Sequence, residues 1–253
     1  MTSRNAAQDM QTEIHRFNTL HDAQESLARR MISLAQDAVK RAGAFRVALS
    51  GGKTPAGLFN LLAGAPWADQ MPWEAAHWFW ADERAVPADD PASNMGLVQR
   101  LLFSRVRAPA KQIHPLCPSG VALETAARNY EDILRKNVPL NEQGIPSLDL
   151  VLLGIGDDGH TASLFPGDEA LDCADRWIVA VPRPKGRPPV PRLTMTLPLI
   201  NAARTAVFLV SGDGKRDVIR RILSDPESSA KKYPAARVRP AETLVWMLDS
   251  QAV

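Results

Sequence analysis

Cysteine is scarce in this chain: Cys117 and Cys173 are its only two in 253 residues. That excludes a disulfide framework or a clustered thiolate metal site, and it suits a reducing compartment. Neither sign of charge is in excess. Thirty Lys plus Arg against 28 Asp plus Glu leave +2, so no broad basic field points to a nucleic-acid partner. Long apolar runs are missing too. The longest apolar-plus-glycine stretch, Leu150 to Gly156, is too short to span a bilayer. The polar segment Met1 to Glu13 has no apolar core of a secretory signal. The expectation is a cytoplasmic protein with no membrane partner. What is present is an ordinary globular composition, 45% hydrophobic and 23% charged. At this length a folded chain buries roughly 75% of its extended surface, enough for a core without staples. Residues 1–253 are read as one α/β domain.

The pattern alternates short apolar runs with amphipathic stretches. Strands are expected at Phe45–Leu49, Trp78–Ala81, Ile113–Leu116, Leu148–Gly154, Trp177–Val181, Thr205–Val210 and Leu244–Leu248. Helices are expected at about His21–Ala42, from Pro55 onward, and near Asn94–Leu102, Leu123–Arg135 and Gly214–Leu223. Strands alternating with helices, several of them apolar throughout, indicate an open, mainly parallel, doubly wound Rossmann-like sheet with helices on both faces. The segment Val181–Arg192 (VPRPKGRPPVPR) stands out for its prolines and basic residues. It is read as a stiff loop that delivers Arg192 to a site, in preference to a linker.

Ligands of open α/β sheets bind beyond the C-terminal strand ends, and four such ends here carry unusual residues. Ser50-Gly51-Gly52-Lys53-Thr54-Pro55 follows the strand at Phe45. Its glycines let backbone amides approach an anion, although the spacing matches neither a Walker loop nor a dinucleotide fingerprint. Ala48–Gly52 also approximates a nucleophile elbow around Ser50. Asp82-Glu83-Arg84, with Ser93-Asn94, ends the strand at Trp78, where buried charges need partners or a ligand. Gly154 to Pro166 (GIGDDGHTASLFP) sets Asp157, Asp158 and His160 on a glycine-rich turn. Histidine takes up a proton near neutrality, and a neighbouring carboxylate orients its ring. The other four histidines are scattered and the spacing fits no metal motif. Finally, Arg192 and Lys215 are placed to close a pocket for a dianion, one as a fork and one as a point charge.

Taken together, ALSGGKTP at Ala48–Pro55, DERAVP with SN at Asp82–Asn94, GIGDDGHTASLFPG at Gly154–Gly167, PPVPRLTMTLPLIN at Pro188–Asn201 and YPAARV at Tyr233–Val238 resemble the 6-phosphogluconolactonase family, within the glucosamine-6-phosphate isomerase/lactonase superfamily. The HTASLFP segment and the Asp82-Glu83-Arg84 triplet side with the lactonases; the amino-sugar branch carries an IAFNEP-like continuation and a DEY-like triplet. The resemblance implies hydrolysis of 6-phospho-D-glucono-1,5-lactone to 6-phosphogluconate in the oxidative pentose phosphate pathway. It also implies a small sugar phosphate as the partner, a monomer, and no metal or organic cofactor. Carried over by residue, His160 resembles the general base and Arg84 the positioner of the lactone end. Asp82, Asp158 and Asn94 support them. Ser50, Gly51, Gly52, Lys53 and Thr54, with Arg192 and Lys215, look like the phosphate grip. Lys53 stands where a serine is common. The rival readings are an amino-sugar phosphate isomerase, a serine esterase acting through Ser50, and a non-catalytic sugar-phosphate sensor.

Overall fold

Nine strands and eight α-helices make up the computed structural model, which describes residues 10–117 and 120–253. Strand β1 (Gln11–Phe17) leads into helix α1 (Leu20–Ala42), whose start is fixed by a capping box between Thr19 and Asp22. Its end is set by Gly43 in the left-handed conformation. Strand β2 (Phe45–Leu49) is followed by helices α2 (Ala56–Leu62) and α3 (Trp67–Gln70) and by strands β3 (Ala76–Trp80) and β4 (Asp82–Arg84). Helix α4 (Asn94–Val98), continued by a π-helical turn at Gln99–Phe103, and helix α5 (Leu123–Asn137) precede strands β5 (Leu150–Leu153), β6 (Ile178–Val181) and β7 (Arg192–Met195). The chain closes with α6 (Leu197–Asn201), β8 (Thr205–Val210), α7 (Arg216–Ser224), α8 (Pro226–Ala230) and β9 (Thr243–Asp249).

Six strands form one open sheet, in the order β1-β9-β8-β5-β2-β3, and every pairing is parallel. The central strands are buried on both faces, which is why LVLL and TAVFLV read as unbroken apolar runs. From β2 the chain passes to β3 on one side and later returns to β5 on the other. The crevice past the C-terminal ends of β2 and β5 is therefore the point where strand order reverses. Over it lies a second sheet, β4-β7-β6, which is antiparallel. Ala81 joins the two sheets: its N–H donates to Leu49 and its carbonyl accepts from Met195. The register of the small sheet places Arg84 opposite Arg192 and Asp82 opposite Thr194.

The doubly wound α/β class expected from the sequence is the one observed, with three local corrections. Ile113–Leu116 is not a strand; a single parallel bridge joins Ile113 to Trp78, and Pro115 next to it lacks the N–H needed to extend a ladder. The Trp177 segment does form a strand, but in the antiparallel sheet rather than the parallel one. The helix expected from Gly214 begins at Arg216, after a 3₁₀ turn at Asp213–Lys215. No helix among the described residues is long and apolar enough to cross a membrane.

A histidine pair sits against β3, away from the crevice. His77 Nδ1 lies 3.1 Å from His114 Nε2, and His114 also stacks on Phe79 at 4.6 Å. Such a pair holds one proton between two ring nitrogens, so charging both rings destroys it. Burial and the neighbouring His77 hold His114 down at about 4. Burial, Arg46 and Lys111 lower His77 as well. The unfolded chain therefore takes up these protons first. This contribution to stability is complete above about pH 6.5 and is lost as pH falls towards 4. The raised carboxyls of Glu83 and Asp149 act in the opposite direction, so the comparison that isolates the pair uses a variant. Between about pH 7 and pH 5, urea titrations are expected to show wild type losing about 2 kcal/mol more than His114→Gln. Equal slopes would assign the acid lability to other groups.

Candidate active site

The turn after β2 is held from behind. Gln24 of α1, itself buried, donates to the Thr54 carbonyl at 2.7 Å. Ser50 Oγ donates to the Leu152 carbonyl of β5 at 2.8 Å, so its proton is committed to the main chain and not to a base. That geometry disfavours the serine-esterase reading. Among the described residues, the amides of Gly51, Gly52, Lys53 and Thr54 donate to no backbone carbonyl. They form a row of free donors of the kind that accommodates an anion. A side chain at Gly51 would collide with the Asn94 amide, so only glycine lets this turn approach the start of α4 so closely.

Strand β4 and the start of α4 are tied together by a carboxylate that is itself buried. Glu83 accepts from the N–H groups of Arg84, Asn94 and Met95 at 2.7, 2.8 and 2.6 Å, and from Ser93 Oγ at 3.3 Å. Burial pushes its carboxyl up despite those three amides. Asn94, oriented by Glu83, donates to the Asp82 carbonyl at 2.8 Å, and its Oδ1 accepts from Arg84 Nη1 at 2.7 Å. A second bond from Nη1 to the Ala92 carbonyl fixes the guanidinium, while Arg84 Nε is buried without a partner.

Asp82 Oδ2 accepts from Ser163 Oγ at 2.6 Å and lies 3.9 Å from Arg192 Nη1. Arg192, at the start of β7, is only 2% exposed. It donates to Ser163 and, through Nη2, to the carbonyls of Arg187 and Pro188 at 3.0 Å each. The guanidinium lies over the Phe165 ring at 5.6 Å and leaves Nε without an acceptor. Burial holds it below its ordinary value, with Asp82 the main opposing charge.

His160 leaves the β5 turn with Nδ1 2.6 Å from Asp158 Oδ1, and the same oxygen accepts its backbone N–H at 3.0 Å. Burial pushes the Asp158 carboxyl up, but these two contacts with His160 outweigh it and hold it below the usual range. An ionised acceptor at Nδ1 puts the ring proton there and leaves Nε2 with a lone pair. Nε2 has no protein partner among the described residues. The ring packs 4.6 Å from Phe165. A β-carbon on Gly156 would collide with His160 Nδ1, so this glycine makes room for the ring. On the far side, Asp249 accepts from Ser211 Oγ at 2.5 Å and holds the turn that carries Lys215. Lys215 pairs with Asp157.

One cavity of about 230 Å³ collects these groups, lined by Ser50, Gly51, Gly52, Thr54, Asp82, Arg84, Asn94, His160, Arg192 and Lys215. Asp158 stands behind His160, and the exposed Lys53 faces a neighbouring hollow with Pro91 and Leu97. Three contributors were not singled out from the sequence: Ser163, Phe165 and Arg187, the last of which also lines the cavity. The first two lie inside the HTASLFP segment, where a hydroxyl and a ring next to a histidine carry no distinguishing sign. An imidazole with a braced rear nitrogen, facing a crevice rich in cations, is equipped in its unprotonated form to deprotonate water beside an anionic substrate.

Comparison with known proteins gives the same direction. A profile of the family described as glucosamine-6-phosphate isomerases/6-phosphogluconolactonase matches residues 18–246. A 6-phosphogluconolactonase of Synechocystis is 41% identical over 215 residues, covering 85% of this chain and 86% of its own. One of Streptomyces coelicolor is 34% identical, covering 96% of this chain and 93% of its own. The crystal structure of 6-phosphogluconolactonase from Thermotoga maritima superposes with a TM-score of 0.81 at 29% identity, covering 95% of this chain and all (100%) of that one. The chain belongs to the glucosamine-6-phosphate isomerase/6-phosphogluconolactonase family.

Proposed function

We propose that this protein hydrolyses 6-phospho-D-glucono-1,5-lactone to 6-phospho-D-gluconate, the second step of the oxidative pentose phosphate pathway. The observation that carries the mechanism is the convergence in one crevice of a base-competent His160, braced by Asp158, with Arg84, Arg192 and Lys215. His160 Nε2 takes a proton from water as the water oxygen attacks C1. Such base catalysis is worth roughly 10²–10⁴ in rate. The oxyanion at C1 is met by Arg84 or by amides of a glycine-rich turn, a contribution of about 3–4 kcal/mol for one good donor. As the bond from C1 to the ring oxygen breaks, the imidazolium protonates that oxygen. The new carboxylic acid then ionises and releases one proton. Arg192, Lys215 and the amides of the Ser50–Thr54 turn hold the phosphate, which orients the remote lactone. The reading makes the protein a cytoplasmic monomer, and the two separated cysteines agree with a reducing compartment.

The direct test is a pH-stat assay on freshly generated 6-phosphogluconolactone, with the spontaneous opening subtracted. Acid release well above that background is expected. Ammonia release from glucosamine 6-phosphate without lactone hydrolysis would replace this reading by the isomerase one.

A further inference from the structure

Of the cationic side chains that line the cavity, three are already engaged. Arg84 is held by Asn94 and Ala92, Arg192 by Ser163 and two carbonyls, and Lys215 by Asp157. Arg187 is different. This exposed residue borders the same cavity, and its side chain makes no hydrogen bond or ion pair among the described residues. It arrives on the stiff proline-rich loop between β6 and β7, and that loop is tied down around it. Gly186 packs on the Phe165 ring, Lys185 Nζ donates to the Pro166 carbonyl at 2.9 Å, and Arg192 Nη2 grips the carbonyls of residues 187 and 188.

From this placement we infer that Arg187 is a substrate-positioning and specificity-determining residue that binds the phosphate dianion together with Arg192. The inference rests on the lactonase reading above and goes beyond it. The physical reason is charge balance. The Arg187 main chain is one hydrogen bond from the Arg192 guanidinium, so two arginines border one wall of the cavity. Like charges confined to one wall repel unless something anionic lies between them. The hydroxyls of a sugar lactone are neutral, and its phosphate is the one group able to neutralise both. A planar fork with all five donors unengaged suits that role. Proline stiffness lowers the ordering cost of presenting it.

The experiment compares wild type with Arg187→Gln and Arg187→Lys on the phosphorylated lactone and on unphosphorylated glucono-1,5-lactone. Binding of 6-phosphogluconate is measured in parallel by calorimetry. For Arg187→Gln, the ratio of kcat/KM for the phosphorylated over the unphosphorylated lactone is expected to fall about 10- to 100-fold. Most of the change should be in KM, and product binding should weaken by a similar factor. Arg187→Lys is expected to recover part of the loss. An unchanged ratio, or an equal loss on both lactones, overturns the assignment; so does unchanged product affinity. If wild type itself fails to hydrolyse the phosphorylated lactone, it is the lactonase reading that fails. The calorimetric comparison then still decides whether Arg187 binds the phosphate.

Discussion

His160→Ala is expected to lower kcat on the phosphorylated lactone by roughly 10²–10⁴-fold while 6-phosphogluconate still binds. Among the described residues the ring supplies the only imidazole lining the cavity. Its Nε2 has no competing partner among the described residues, and its Nδ1 is engaged by a carboxylate that favours the base-competent tautomer. Removing it takes away proton transfer and leaves the cations and the glycine-rich turn in place, so binding and turnover separate. The measurement is kcat above the spontaneous rate, with product affinity by calorimetry in the same preparation. Because the lactone opens unaided, a residual rate at background is the expected floor. Unchanged turnover would mean that another group activates the water. A parallel loss of product binding would mean that the ring serves the pocket's shape instead.

The second large effect belongs to Arg192→Ala. Here a rise in KM of about 100-fold is expected, since hydrogen bonds to a charged group are worth about 1.5–3 kcal/mol each and more than one is lost. The same substitution leaves Asp82 buried without its nearest cation and frees the carbonyls of residues 187 and 188. A lower melting temperature should accompany the kinetic change. Arg192→Lys is expected to restore little, because one ammonium cannot reach Ser163 and two carbonyls at once. Kinetics showing a normal KM together with a lowered melting temperature would make Arg192 a purely structural anchor.

Much of the frame was legible because its physics is local. TAVFLV and LVLL are apolar on both faces and read directly as central parallel strands, and the long helix expected at about His21–Ala42 is observed at Leu20–Ala42. Strand β1 was hidden, since QTEIHRF at a sheet edge alternates exposed and half-buried positions and carries no strong apolar signal. β4 was hidden for a different reason. Its three residues are all charged, and they form a strand only because β7, more than a hundred positions later, supplies the ladder. The motif residues were visible as oddities: glycines, a histidine and cations at strand ends. Their bracing was not. That Glu83 gathers three amides, or that Gln24 reaches Thr54, depends on distances no spacing rule encodes.

The pairing of β1 with β9 has a consequence for how the protein is made. Gln11 lies beside Thr243 and Phe17 beside Asp249, and among the described residues β9 is the only strand that β1 pairs with. During synthesis β1 therefore waits, without a neighbour, until β9, more than two hundred residues later, has left the ribosome. At about 5–20 residues per second that delay amounts to tens of seconds. Its polar, half-exposed composition suits a segment that must stay soluble throughout the wait. A more apolar edge would invite pairing between nascent chains.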